Sequence, residues 1–294
     1  MDGKLYVITG CTAVGKTDYA ISFALKNNGE VVSCDSLLVY KHMDIGTAKP
    51  TPEEMRGIGH HCIDLVEPSE KFDVSMFIEA AKTAIDSIIS SGKNVVVVGG
   101  SGFYLKSLYA PTIDDIKVPQ DVCDFVNSIY AKSGLDGLVP MLVSANDGVC
   151  PSIDIKNPRR VISALKRCLA SGKTLDGIQS DFKSLDFPFR RYQKHTILLE
   201  RDQEDLKLRI WERTKKMLNM GLIGEVKFLL SHYENLNDSA KNAIGYRETI
   251  NWIKNSTTED ALVDEIAQNT LKLVKKQKTW LKKQIPIDEK IVLR

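Results

Sequence analysis

Apolar positions follow two rhythms along this chain. In the first third they form short unbroken runs, Leu5–Thr9, Glu30–Cys34 and Asn94–Val98. The last of these, NVVVV, predicts a strand buried on both faces, as in a parallel sheet. Between the runs, spacings of three and four over Thr17–Asn27 and Val74–Ser90 predict helices, the second closed by Gly92. Strand alternating with helix predicts a right-handed, doubly wound α/β core. From Ile113 to Lys194 the rhythm becomes purely helical: Gln120–Ser133, Leu135–Val143, Asn157–Ala170 and a short piece after Thr174. His195–Glu200 then resumes as a core strand. Gln203–Leu230 and Thr258–Lys283 are amphipathic and helical, with a final strand near Ile287–Leu293. The predicted organisation is a core built from residues 1–112 and 195–294, interrupted by a helical insertion over 113–194.

Charge modifies this picture only locally. The chain has 294 residues, with 40 Lys and Arg against 38 Asp and Glu, a net charge of +2. Residues 113–155 carry seven aspartates and two lysines, whereas 156–194 carry ten basic residues and three aspartates. Residues 271–283 (LKLVKKQKTWLKK) hold six lysines and no acid. Basic clusters of this kind suit a polyanionic partner such as nucleic acid. The six cysteines are dispersed, without the paired spacing of a zinc site, which predicts reduced thiols in a cytoplasmic protein. No apolar run reaches the ~18 residues that would span a bilayer.

The densest chemistry lies in GCTAVGKT, Gly10–Thr17, between the first strand and the first helix. This is the P-loop consensus in its strand–loop–helix context. Gly10 and Gly15 let the backbone curl so that the amides of Cys11, Thr12, Ala13 and Val14 form an anion nest at a helix N-terminus. Lys16 adds a cation, and the Thr17 hydroxyl suits a phosphate-bound Mg2+ ion. Each early strand ends in small or polar residues: Gly10, then Cys34-Asp35-Ser36, then Gly99-Gly100-Ser101-Gly102. Ligands of such sheets bind at the carboxyl ends of the strands, so three segments converge on one cleft. Asp35 is placed to accept a proton or orient a nucleophile. The buried strand ends in Gly-Gly rather than the acid of a Walker B strand, which argues against a conventional nucleotide hydrolase. His60 and His61 lack a third ligand at metal-site spacing, and turn or core packing is the expected role.

The ordered segments GCTAVGKT, SCDSLLVYKHMDIGTAKPT, HHCIDLVEP, VVVVGGSGFYLKSL, NPRRVISALKR, RIWERTKKMLNMGLIGEV, AIGYRE and KKQKTWLKK resemble the signatures of the tRNA dimethylallyltransferases, from residue 4 to about residue 283. The resemblance implies a P-loop NTPase-like parallel sheet with helices on both faces and a small inserted helical domain. It implies dimethylallyl diphosphate, not ATP, in the P-loop, and an acceptor adenosine immediately 3′ of the anticodon in tRNAs reading codons that begin with U. The insertion and core would grip the tRNA anticodon stem-loop, with the target base flipped from its stack. Asp35 matches the family's general base, and Arg213 the arginine that reaches the diphosphate. Thr12 is expected to touch the diphosphate as well. RNA contacts are implied for Asp35, Ser36, Leu37, Leu38, Ser101, Arg159, Arg160, Arg167, Gly245, Tyr246, Arg247, Lys275, Lys276 and Gln277.

Several positions depart from the family pattern. Leu38 stands where a glutamine is usual, Ser101 replaces threonine, Ser163 replaces the second arginine of an RNA-gripping helix, and Leu271 replaces arginine. In the insertion, Ile162, Leu165 and Leu169 form an expected apolar stripe, with Arg160 and Arg167 a heptad apart on another face, suited to backbone phosphates. The chain contains no C-terminal Cys/His finger, so a compact, monomeric, bacterial-type enzyme is expected. Three other functions fit parts of the pattern: an adenylate prenyltransferase, a small-molecule P-loop kinase, and a non-catalytic RNA-binding paralogue. Intact Lys16, Thr17, Asp35 and Arg213 weigh against the last.

Overall fold

A computed structural model describes residues 3–255 and 258–294. Along the chain, β1 (Lys4–Thr9) leads through the P-loop into α1 (Lys16–Lys26) and β2 (Gly29–Cys34). The short α2 (Pro52–Met55), β3 (His60–His61), α3 (Val74–Ser90), β4 (Asn94–Gly99) and α4 (Gly102–Ser107) follow. Then come three helices, α5 (Gln120–Ser144), α6 (Pro158–Ser171) and α7 (Leu175–Ser184). The chain returns through β5 (Gln193–Arg201), α8 (Gln203–Asn219), α9 (Leu222–His232), α10 (Asp238–Lys241), α11 (Tyr246–Asn255), α12 (Glu259–Gln284) and β6 (Glu289–Leu293).

The sheet has six strands in the order β3-β2-β4-β1-β5-β6, every pairing parallel. Parallel pairing buries both faces, which is why Val95, Val96 and Val97 are all inaccessible. On one face Ile8, Val31, Val96, Ile197 and Leu199 pack with Ala20 and Ala24 of α1, Leu206 and Ile210 of α8, and Ala267 and Val274 of α12. Their neighbours in sequence point the other way, where α3 packs on β2 and β4. A second apolar cluster joins Val39, Tyr40 and Met43 to α8, α9, α11 and α12. It fixes the loop from Val39 to Pro50 beside the carboxyl edge of the sheet.

The chain divides into two compact units, residues 1–109 with 188–294 and residues 110–187. Residues 188–194 fall within the larger unit for a physical reason. Tyr192 is buried and its hydroxyl bonds Asp86, while Gln193 and Lys194 begin β5.

Within the smaller unit, α5 is two helical segments meeting at Gly134, whose φ of 58° and ψ of −144° are non-helical, as the two helices expected over Gln120–Ser133 and Leu135–Val143 require. The buried face of α6 is Val161, Ala164, Leu165 and Cys168; of the expected stripe, Leu165 is buried, Ile162 packs half-buried against this face, and Leu169 is exposed. The Arg167 guanidinium pairs with Asp114 inside this unit.

The long helix expected over Gln203–Leu230 is two, because Gly221 takes a φ of 102° and starts α9. His60 and His61 form the edge strand β3. His60 Nδ1 lies 2.9 Å from the Ile58 carbonyl and His61 Nε2 lies 2.6 Å from Glu30.

Candidate active site

The P-loop is shaped by close approach and by its outer anchors. A Cβ at Gly10 would lie 2.7 Å from the Leu199 carbonyl oxygen, so only glycine lets β1 turn beside β5. Gly15 caps α1 at a φ of 106°, in the left-handed region that favours glycine. The Ala13 carbonyl accepts from Arg209 Nε at 3.2 Å, and the Val14 carbonyl from Arg201 Nε at 3.2 Å. No side chain caps α1, which leaves its N-terminal amides, including those of Lys16 and Thr17, to a ligand.

Lys16 donates from Nζ to the Cys11 carbonyl at 2.9 Å, folding across the loop. Burial lowers its pKa to about 8, against the opposing pull of Asp35. Burial likewise draws Arg213 below its ordinary value, again opposed by Asp35. Arg213 NH2 reaches the Thr47 carbonyl at 3.4 Å. Two half-buried cations facing one carboxylate make a cradle with more positive than negative charge, the electrostatic condition for binding a polyanion.

Asp35 follows β2 directly. Its Oδ1 accepts from the Leu37 amide at 2.9 Å, a turn that fixes the carboxylate at the end of the strand. The Ser36 amide donates to Ser101 Oγ at 3.0 Å, joining the ends of β2 and β4. Three cavities meet at these residues. One of about 570 Å³ is lined by Thr12, Asp35, Ser36, Leu37, Gly100 and Ser101 on its polar side. Ile210, Met217, Ile244, Ile266 and Leu273 form its apolar wall, with Phe103, Lys276 and Trp280 also bordering it. A second, also about 570 Å³, is lined by Lys16, Thr17, Lys49, Arg209, Arg213 and Lys216, with Asp18, Asp44, Glu54 and Glu212 also in its walls. A small one of about 100 Å³ has Thr12, Lys16, Thr17, Asp35, Leu38 and Arg213 in its walls, and so borders both.

The Gly-Gly end of β4 has a steric cause. A Cβ at Gly100 would lie 3.0 Å from Gln277 Nε2 and 3.1 Å from the Gly10 carbonyl oxygen. A side chain at Gly100 would need these neighbours to give by a few tenths of an ångström.

Hard oxygen donors suit Mg2+. Thr17, Asp35 and Ser33 border the same small cavity, and Ser33 Oγ is buried without a protein partner. These residues fit such an ion held chiefly by a bound phosphate, and no cluster of three His, Cys, Asp or Glu side chains of metal-site type exists among the described residues.

Not all expected RNA contacts are available. Tyr246 is only 1% exposed; its ring packs on Gly46 and its hydroxyl donates to Glu225 at 2.6 Å. The Gly245 amide donates to Glu248 at 2.8 Å, and Arg247 pairs with the same buried carboxylate. The GYRE segment is therefore an internal clasp in which Gly245 and Tyr246 are buried. Glu225 accepts from the amides of Asp44, Ile45 and Gly46 at 3.0, 2.7 and 3.1 Å, and so fixes the loop that carries Thr47. Thr12 sends both its amide and its hydroxyl to Gln277. Lys275 and Lys276 are exposed on α12, and Arg159 and Arg160 on α6.

Sequence reading missed Arg209, Arg201 and Glu225. Arg209 precedes Arg213 by one helical turn, on the same face of α8, and Arg201 ends a strand at the sheet's carboxyl edge. Those signals were present. Glu225 carried none, since its role depends on the path of a distant loop.

With this geometry established, similarity to known proteins decides the family. The IPP transferase family profile matches residues 38–284. The chain belongs to that family. A tRNA dimethylallyltransferase of Opitutus terrae is 42% identical over 283 residues, covering 96% of this chain and 91% of that protein. One from Clostridioides difficile is 36% identical over 280 residues, covering 95% and 88%. Among solved structures, a eukaryotic dimethylallyltransferase acting on tRNA has a TM-score of 0.83 at 26% identity, covering 98% of this chain and 74% of that one. The tRNA isopentenylpyrophosphate transferase of Bacillus halodurans has a TM-score of 0.69 at 30% identity, covering 99% and 90%.

Proposed function

We propose that this chain transfers a dimethylallyl group from dimethylallyl diphosphate to the exocyclic amine of the adenosine immediately 3′ of the anticodon, in tRNAs reading codons that begin with U. One observation carries the reading: Asp35 lines both the small cavity it shares with Lys16, Thr17 and Arg213 and the cavity of about 570 Å³ that brings polar and apolar side chains together. The uncapped amides at the start of α1, Lys16 and Arg213 hold the diphosphate, whose charge grows as it departs. The allylic carbon–oxygen bond breaks, the bond from nitrogen to that carbon forms, and the amine proton passes to Asp35.

An adenine amine is a weak nucleophile because its lone pair is delocalised into the ring, so a positioned base is needed. The apolar wall of Ile210, Met217, Ile244 and Ile266 suits the prenyl group and excludes water from the allylic centre. A Mg2+ ion bound through the diphosphate, with Thr17 as the nearest P-loop hydroxyl, would supply charge neutralisation to the leaving group. Exposed Lys275, Lys276, Arg159 and Arg160 suit RNA backbone phosphates. No helix among the described residues is long and apolar enough to cross a membrane. The proposed action is that of a cytoplasmic monomer on one tRNA.

The test uses labelled dimethylallyl diphosphate with unmodified bulk tRNA, and adenosine monophosphate in a parallel tube. Label in tRNA alone is expected. Label in the mononucleotide would instead assign an adenylate prenyltransferase. Phosphate transfer from labelled ATP to a small acceptor would assign a kinase.

A further inference from the structure

Gln277 lies on α12 among lysines, where resemblance places RNA contacts, yet its side chain is engaged elsewhere. Its Oε1 accepts the Thr12 amide at 2.8 Å and the Thr12 hydroxyl at 3.1 Å, while Nε2 donates to the Gly100 carbonyl at 3.4 Å. One amide group thus ties the P-loop after β1 to the turn after β4. Two donors from a single residue meeting one oxygen fix the backbone and the side-chain rotamer of Thr12 together.

The place it fills is informative. In nucleotide hydrolases built on a P-loop, an acid from a neighbouring strand serves the phosphate site. Here that strand ends in glycine, and a Cβ at Gly100 would lie 3.0 Å from Gln277 Nε2 and 3.6 Å from Lys16 Nζ. Gln277 therefore occupies the room an acid would need and makes a cross-link with a neutral group. A carboxylate in that position would oppose a bound diphosphate at short range.

We propose that Gln277 is a positioning residue for the diphosphate donor: it holds the P-loop at Thr12 in its anion-binding curl, and does not read RNA. The inference rests on the proposed donor, but its test uses inorganic diphosphate, whose binding is independent of any transfer to RNA.

Calorimetric titration of inorganic diphosphate, KM values for both substrates and thermal midpoints separate the roles. Gln277→Leu should weaken inorganic diphosphate binding and raise the KM for dimethylallyl diphosphate about tenfold, with the tRNA KM and the thermal midpoint little changed. Gln277→Glu keeps the acceptor for Thr12 and the length of the side chain, so it serves if the leucine variant fails to fold. It should weaken diphosphate binding at least as much, because it adds a negative charge. Unchanged diphosphate affinity in either folded variant, or a raised tRNA KM with a normal donor KM, overturns the proposal. In that case Gln277 is an RNA contact, or an inert part of α12.

Discussion

Lys16 shows how burial and function oppose one another in a single residue. Its folded pKa of about 8 lies below the ordinary lysine value because burial disfavours the ammonium. The sign follows from linkage: below pH 8 the folded state must keep the buried charge that the unfolded chain carries freely, and this cost is relieved as pH rises from about 8 toward 10.5. Lys16→Met should therefore raise Tm at pH 7, by roughly 2–4 °C per kcal/mol relieved, while weakening catalysis about 10²–10³-fold through removal of a leaving-group partner. For the parent protein, diphosphate affinity should fall as pH rises above about 8, by up to tenfold per unit, with a proton taken up on binding. Calorimetry in buffers of different ionisation enthalpy measures that proton. Affinity independent of pH between 7 and 9.5 would contradict the assignment.

At the scale of elements, the site is a set of strand ends held in place by helices distant in sequence. Glu225 on α9 gathers three amides of the 44–46 loop and the Tyr246 hydroxyl. Tyr246→Phe should cost about 0.5–1.5 kcal/mol, the net value of one hydrogen bond, and leave tRNA affinity unchanged. A selective loss of tRNA affinity would restore the RNA-contact reading.

The sheet edge is legible in the sequence because glycine and aspartate directly after a buried apolar run mark a tight, polar turn at a strand's carboxyl end. The P-loop, Asp35 and the ends of β2 and β4 can all be placed from it. The clasp is opaque for the same physical reason that makes it effective: Tyr246, Glu248 and Glu225 act through long-range contacts, and a buried polar residue has the same letter as an exposed one. The frame of α6 is easily misread because Ile162 and Leu169 keep a helical spacing beside the face that is buried, Val161, Ala164, Leu165 and Cys168. The break between α8 and α9 is signalled by Gly221 alone, inside an otherwise continuous apolar rhythm.

Across the whole molecule, charge is distributed by task. Half-buried Lys16 and Arg213 face the P-loop cavity, whereas Arg159, Arg160, Lys275 and Lys276 are exposed. Replacing Arg159 and Arg160 by glutamine should weaken tRNA binding and lower the slope of its salt dependence by about one for each RNA phosphate that either arginine neutralises. The KM for dimethylallyl diphosphate should not move. An unchanged salt slope would remove this helix from the RNA surface.

The central claim is that Asp35 takes the proton of an adenine amine while the P-loop releases diphosphate. It is tested most directly by mass spectrometry of nucleosides from unmodified tRNA after incubation with dimethylallyl diphosphate and either the parent protein or Asp35→Ala. The account predicts isopentenyladenosine, located immediately 3′ of the anticodon, from the parent. It predicts a rate lowered about 10²–10⁴-fold in the variant, with tRNA binding nearly intact. Equal product from both proteins, or none from the parent, would contradict it.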